Sequence, residues 1–322
     1  MTAHSTGRRH GLVVMAYGTP RSLDGLVDYY THIRRGRPPT PELLAELRAR
    51  YEAIGGASPL AERTREQVDA IAAALDAGQP GTWKVALGNK HTAPYVEDAV
   101  AGVTSEAAAG GAPVDDVVGL VLAPHHARRS VGEYHERAAA AVPGGVAYRP
   151  IDTWHDEPAW VEAQADRVRT ALAGMPAATK VLFTAHSLPE RALAGDDYPD
   201  QLRASAGAIA DRAGLGPWGD WTLAWQSAGR TPEPWRGPDV LDVIRDLAAT
   251  GRAAGVLVCP QGFVSDHLEV LYDLDVEARD VATRAGLAFG RTASINAEPA
   301  VMSALAERVR RELTATARGR WR

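Results

Sequence analysis

The 322-residue sequence lacks several features that mark particular classes of protein. Its single cysteine, Cys259, excludes intramolecular disulfides and any iron–sulfur cluster held by four cysteines of this chain. No run of 18 apolar residues is present, and the first ten residues lack the apolar stretch of a signal peptide. We therefore expect a cytoplasmic protein without a membrane span.

The charge balance also lacks any strong bias. A net charge of −5 gives no reason to expect nucleic acid as a partner, because proteins that bind polyanions are usually strongly basic. The content of 45% hydrophobic and 23% charged residues is ordinary for a globular protein, and the length suits two domains. Cys259 lies in the apolar run 253–259 and is expected to be a buried small hydrophobic residue.

Short apolar runs alternate with helical patterns along the whole chain. This alternation predicts an α/β fold with parallel sheets covered on both faces. We expect two Rossmann-like domains, residues 1–153 and 154–322, each a four-stranded parallel sheet flanked by helices. The last helix could pack on either domain. The predicted strands are 12–17, 83–87, 117–122, 145–148, 180–184, 221–225, 255–258 and 287–289, and the main predicted helices are 59–75, 94–109, 158–172, 238–249 and 298–314.

Polar residues follow many of these strands, where open α/β sheets bind their ligands. Tyr17 ends the first predicted strand, and His91 follows the second. In the other half, His186 and Gln226 stand at strand ends, and an acidic segment follows the strand that contains Cys259. The simplest arrangement is a cleft between two sheets that takes polar groups from both.

The acidic segment carries Glu269, Asp273 and Glu277 at intervals of four residues, within a predicted helix that covers 262–277. On a helix these carboxylates would share one face and repel each other by about 0.2–0.5 kcal/mol per pair. No Lys or Arg stands three or four residues away to relieve this repulsion. The spacing suggests a path for a cation or for protons; the alternative is a partly solvated helix face.

Familiar catalytic motifs are missing. No Gly-x-Gly-x-x-Gly follows the first strand, and the chain has no P-loop, no His-Glu-x-x-His helix and no Gly-x-Ser-x-Gly elbow. Dinucleotide binding and the common hydrolase chemistries are therefore not expected.

Six segments in series resemble the ferrochelatase family over nearly the whole chain, and most closely its soluble bacterial coproporphyrin III members. The resemblance implies a metal chelatase of the lyase class that inserts Fe²⁺ into coproporphyrin III in a cleft between two Rossmann-like domains. Two protons would be released in this step of haem biosynthesis. The matching segments are 15–20, 29–37, 50–60, 184–190, 225–235 and 262–277.

The resemblance also implies roles for individual residues. His186 matches a histidine that accepts a pyrrole proton and can bind Fe²⁺, and Glu269 matches a second catalytic residue that delivers metal or relays protons. Asp273 and Glu277 would form an accessory path. The implied substrate-binding residues are Tyr17, Ile33, Arg34, Arg50, Ser58, His91, Arg128, Tyr134 and Trp235.

The chain departs from the family pattern at residues 126–129. Many relatives carry an aromatic residue and small hydroxyl residues there, whereas this chain has His126, Ala127, Arg128 and Arg129. If this loop contacts substrate carboxylates, Arg128 favours a carboxylate-rich porphyrin.

Three alternative functions are open. The protein could insert Fe²⁺ into protoporphyrin IX, insert another metal, or act as a non-catalytic tetrapyrrole carrier. We expect a monomer that has no tightly bound cofactor and no [2Fe–2S] cluster, because Cys259 is the only cysteine. A downstream enzyme would accept the coproheme product.

Overall fold

The computed structural model describes residues 9–105, 114–217, 219–229 and 231–314. It contains two four-stranded parallel sheets, one in each half of the chain, as predicted. The first sheet has the order β2-β1-β3-β4, with β1 at His10–Ala16, β2 at Trp83–Asn89, β3 at Asp116–Val121 and β4 at Ala147–Ile151. The second has the order β6-β5-β7-β8, with β5 at Thr179–His186, β6 at Trp221–Gln226, β7 at Gly255–Cys259 and β8 at Ala288–Arg291.

Helices connect the strands and cover both faces of each sheet. In the first half they are α1 (Leu26–Ile33), α2 (Pro41–Ala53), α3 (Leu60–Gly78), α4 (Val96–Thr104) and α5 (Glu133–Ala141). In the second half they are α6 (Pro158–Leu172), α7 (Glu190–Leu193), α8 (Tyr198–Ala213), α9 (Val240–Ala249), α10 (Leu268–Leu271), α11 (Arg279–Arg284) and α12 (Pro299–Thr314). The predicted helix 94–109 is observed as α4, and its residues 106–109 lie outside the described part of the chain.

The central strands are apolar because both of their faces are covered. Leu12 to Met15 of β1 and Val256 to Cys259 of β7 are fully buried. Continuous runs of Val and Leu are typical of such parallel strands. The prediction that Cys259 is a buried small residue is confirmed, and burial raises the pKa of its thiol to about 12.

The last helix joins the two halves. Buried residues of α12, such as Leu305 and Val309, belong to one hydrophobic core together with residues of both sheets, α3 and α6. Arg310 on α12 also donates hydrogen bonds to the carbonyls of Ala74 and Leu75 in α3. The two halves therefore share a continuous core, and the division at residues 153 and 154 stays a prediction.

The predicted helix over 262–277 is wrong in its first part. The helix begins only at Leu268, and α10 lasts four residues before a π-helical turn, Asp273–Ala278, follows. The preceding loop is held by Asn296. Its side-chain oxygen accepts from the N–H of Asp266 at 3.0 Å, and its side-chain nitrogen donates to the carboxylate of Asp266 at 2.9 Å. Because a π turn has a wider repeat than an α-helix, the acidic residues do not line one regular α-helical face.

Within the described residues, none of the helices is long and apolar enough to cross a membrane.

Candidate active site

His186 and Glu269 form a close pair at the carboxyl end of the second sheet. His186 is the last residue of β5, and its Nε2 lies 3.5 Å from Oε1 of Glu269. Its Nδ1 donates to the carbonyl of Ser187 at 2.5 Å, so Nε2 is the nitrogen that faces the carboxylate. The two side chains remain 35% and 32% exposed, and a substrate can reach both.

A second histidine, His267, lies on the other side of the same carboxylate. Its Nε2 is 3.7 Å from Oε2 of Glu269, and its Nδ1 donates to the carbonyl of Ser265 at 2.9 Å. His267 is not among the residues predicted from the sequence, although its position two residues before Glu269 is a usable signal. Glu269 therefore has an imidazole beside each of its oxygens.

The electrostatics of the pair oppose the effect of burial. Burial lowers the pKa of His186, but the negative charge and hydrogen bond of Glu269 outweigh it and raise the pKa to about 9. Burial raises the pKa of Glu269, yet His186 and then His267 hold it well below its usual range. At neutral pH the resting site therefore holds an imidazolium–carboxylate pair.

The loop after β7 comes unusually close to the end of β5. The N–H of Gly262 donates to the carbonyl of Thr184 at 3.0 Å. A Cβ at position 262 would lie 2.5 Å from the Cβ of Ala185, so only glycine permits this approach. This contact brings the segment that carries Glu269 beside His186.

Distant arginines neutralise the acidic segment. Asp273 is 6% exposed and forms an ion pair with Arg50 of α2, and it accepts a hydrogen bond from Ser227 Oγ at 2.5 Å. Asp275 accepts two hydrogen bonds of 2.8 Å from Arg291. The repulsion inferred from the sequence is thus relieved by residues far away in the chain.

A cavity of about 370 Å³ lies outside the pair. Four carboxylates line it, those of Glu46, Asp239, Asp273 and Glu277, together with the guanidinium of Arg50. Burial raises the pKa of Asp273, although Arg50 opposes this effect. The lining is suited to a cation or to proton exchange.

Tyr17 and His91 lie at the carboxyl end of the first sheet, directly after β1 and β2. Their rings lie 4.5 Å apart, and Tyr17 is 44% exposed. The loss of solvation and then the negative charge of Glu269 raise the pKa of Tyr17. Burial, with Lys90 and His32 nearby, lowers the pKa of His91 to about 3, and its ring is neutral at physiological pH.

The remaining predicted binding residues have local partners. Arg34 donates to the carbonyl of Arg37 at 3.2 Å, and the preceding residue, Ile33, is half-buried at the end of α1. The main-chain N–H of Arg128 donates to Asp196 at 2.8 Å, and Arg128 itself is exposed.

Three further predicted binding residues, described next, have these local environments. Ser58 Oγ accepts from the N–H of Leu60 at 3.3 Å at the start of α3. Tyr134 is buried in the first half, 4% exposed. Trp235 donates to Thr231 at 2.9 Å within its own loop.

Within the described ranges, no group of three or more His, Cys, Asp or Glu side chains is arranged to hold a metal ion. His186 and Glu269 provide two potential ligands that face the cleft.

Comparisons with known proteins point to one family. A family model described as ferrochelatase matches residues 9–313. The coproporphyrin III ferrochelatase of Geobacillus kaustophilus is 43% identical over 304 residues, which cover 92% of this chain and 93% of the relative. That of Bacillus subtilis is 43% identical over 314 residues, which cover 95% of this chain and 98% of the relative.

Solved structures share the fold at low identity. CbiX, described as the terminal enzyme for siroheme biosynthesis in denitrifying bacteria, matches with a TM-score of 0.52 and 15% identity over 96% of this chain and all of its own. SirB from Bacillus subtilis, solved with Fe³⁺, matches with a TM-score of 0.53 and 15% identity over 94% of this chain and 95% of its own. These structures support the two-domain architecture, and the family model with the close relatives shows that the chain belongs to the ferrochelatase family.

Proposed function

We propose that the protein inserts Fe²⁺ into coproporphyrin III and releases two protons, as a metal chelatase of haem biosynthesis. The observation that carries this proposal is the pairing of His186 with Glu269, whose side chains lie 3.5 Å apart. The pair offers a proton acceptor and a hard metal ligand in one place. Relatives at 43% identity that bear the name coproporphyrin III ferrochelatase support the choice of substrate.

The protonation state of His186 would couple the binding of Fe²⁺ to the removal of protons from the porphyrin. With a pKa of about 9, His186 is an imidazolium in the resting protein and cannot accept a pyrrole proton. An Fe²⁺ ion bound at Glu269 would neutralise the charge that holds this proton, and the pKa of His186 would fall. The imidazole becomes a base when the metal reaches the site.

The acidic cavity beside the pair gives this proton a way out. Asp273 is buried next to Glu269, and its charge acts on His186. Glu277 lines the same cavity nearer to solvent. We assign Asp273 and Glu277 to an accessory path that carries protons outward or cations inward.

Tyr17 and His91 would face the ring from the other side. Because the His91 ring is neutral, it presents no charge that would repel the entering metal. Arg34 and Arg128 would contact the substrate carboxylates, for which guanidinium groups are suited. Coproporphyrin carries twice as many carboxylates as protoporphyrin and has more to gain from these contacts.

An anaerobic metallation assay tests the proposal. Purified protein is mixed with Fe²⁺ and either coproporphyrin III or protoporphyrin IX, and the porphyrin spectrum is followed with time. We expect turnover with coproporphyrin III. The kcat/KM for this porphyrin should be higher than the kcat/KM for protoporphyrin IX. Porphyrin binding without any turnover would contradict the proposal and favour a tetrapyrrole carrier, and a preference for protoporphyrin IX would contradict the choice of substrate.

The cytoplasmic location, the monomeric state and a downstream enzyme that accepts coproheme stay predictions from the sequence.

A further inference from the structure

We propose that Gln226 is a positioning residue that fixes the separation of His186 and Glu269. The inference rests on the proposed function, because it assigns Gln226 to the same reaction without giving it contact with the substrate.

Gln226 is bonded to the chain segments of both members of the pair. It is the last residue of β6 and stands in register with His186 of β5. Its main-chain carbonyl accepts from the N–H of Ser187 at 2.8 Å, directly after His186. Its side-chain Nε2 donates to the main-chain carbonyl of Glu269 at 3.1 Å.

The burial of Gln226 indicates that this second bond is important. The residue is 1% exposed, and its Oε1 has no hydrogen-bond partner in the described part of the chain. Leaving a buried carboxamide oxygen unpaired costs free energy that an apolar residue of the same size would avoid. Glutamine at this position is explained by the bond from Nε2 to Glu269.

The segment that carries Glu269 is anchored by Val270, which is fully buried, and by the ion pair of Asp273 with Arg50, whereas the bond from Gln226 acts on the main chain of Glu269 itself. Glu269 is the second residue of α10, which is four residues long and is followed directly by a turn with a different repeat. Its carboxylate holds the imidazolium of His186 only at short range. A shift of Glu269 away from β5 would therefore weaken the pair before it changed the fold.

Gln226→Leu tests the inference, because it removes the donor and keeps the side chain buried. Gln261→Leu is the matched control: Gln261 is fully buried, and its Nε2 donates to the carbonyl of Leu202 at 3.0 Å. The distance between His186 Nε2 and the carboxylate of Glu269 is measured in a crystal structure of the metal-free protein, and kcat and KM for Fe²⁺ are measured with coproporphyrin III. Gln226→Met, which keeps the length of the side chain, serves as a second variant if Gln226→Leu does not fold.

We expect this distance to lengthen and kcat to fall by about tenfold in the Gln226 variants, with unchanged porphyrin affinity. In Gln261→Leu the distance and kcat should stay at their wild-type values even if stability is lost. A wild-type distance and a wild-type kcat in a folded Gln226 variant would overturn the inference. Because the distance is measured without turnover, a wild-type protein that fails to metallate porphyrin would contradict the proposed function and leave the test of Gln226 intact.

Discussion

Glu269 lies between two imidazoles, and each has its Nδ1 bonded to a main-chain carbonyl. His186 and His267 therefore turn the same ring atom, Nε2, towards the carboxylate at 3.5 and 3.7 Å. The carbonyls of Ser187 and Ser265 favour this orientation, because each accepts a hydrogen bond from Nδ1–H and leaves Nε2 facing the carboxylate. The charge state of the site is thus set by a small group of residues at two strand ends.

The raised pKa of His186 predicts a pH dependence of stability. A group whose folded pKa is about 9, above its ordinary value of 6.5, contributes stability that is fully present below pH 6.5 and is lost as pH rises through 9. Glu269→Gln removes the partner, so the stability difference between wild type and this variant should shrink over that range. Urea unfolding at several pH values measures it.

The exposed pair of Arg63 and Glu66 supplies the control. Glu66→Gln should give a small difference that does not change between pH 6.5 and 9. A difference for Glu269→Gln that is equally constant with pH would contradict the assignment of His186.

The arginine at position 128 has consequences for substrate choice. If its guanidinium binds a substrate carboxylate, Arg128→Ala should lower the affinity for coproporphyrin III more than the affinity for protoporphyrin IX. The ratio of the two dissociation constants should change by about tenfold. Fluorescence quenching of each porphyrin measures the dissociation constants. Arg252→Ala, which removes an exposed arginine paired with Asp246, is the control. An unchanged ratio in Arg128→Ala would refute this role.

At the scale of secondary-structure elements, α2 is tied to the acidic segment across the cleft. Arg50 reaches Asp273, which is largely buried, and its guanidinium also lies over the ring of Tyr272 at 4.9 Å. The ion pair joins an element of the first half to the π-helical turn of the second.

Removal of Arg50 should therefore destabilise the protein. Arg50→Met leaves a buried carboxylate without its cation, and we expect the free energy of unfolding to fall by about 2–3 kcal/mol. Arg48→Met on the same helix is the control, since Arg48 makes one long hydrogen bond of 3.4 Å to the carbonyl of Leu23. Equal stabilities of the two variants, measured by urea denaturation, would contradict the role of the pair.

The strands could be predicted from the sequence, and the acidic segment could not. β1 and β7 are apolar along their length because both faces of their sheets are covered, and this local signal does not depend on distant residues. A helix was predicted at 262–277, after the break at Pro260, and three acids were expected to share one face of it. Its first part is instead a loop held by Asn296, and such a contact leaves no trace in the local pattern.

The site could be predicted only in part for the same reason. His186 and Glu269 were identified through the family resemblance, but the high pKa of His186 depends on their separation in space. Gln226 was noted at a strand end, whereas its bond to Glu269 spans 43 residues of sequence. His267 was missed because its link to Glu269 is visible only when both side chains are placed.

At the scale of the whole molecule, the two halves are joined by a common core around α12. Leu305 is fully buried in this core. Leu305→Ala should lower the free energy of unfolding by about 2–5 kcal/mol, and both halves should unfold in one transition. Coincident curves from tryptophan fluorescence and far-ultraviolet circular dichroism check this.

Ser303→Ala changes an exposed residue of the same helix and should leave both curves near those of wild type. Two separate transitions in Leu305→Ala, with one at the wild-type midpoint, would show that the halves are stabilised independently.

The shared core also matters for catalysis, because the cleft takes residues from both halves. Tyr17 and His91 follow β1 and β2 of the first half, whereas His186 ends β5 and Glu269 lies on α10 of the second half. A rigid connection between the halves keeps the proton acceptor and the opposite wall at a constant separation.

The most direct test of the account is single-turnover metallation of coproporphyrin III under anaerobic conditions, by wild type, His186→Ala and Glu269→Gln, at saturating porphyrin. We predict that each variant binds the porphyrin within a few-fold of wild type but inserts Fe²⁺ about 10²–10⁴-fold more slowly. Wild-type insertion rates in both variants would contradict the central claim that this pair carries out the reaction.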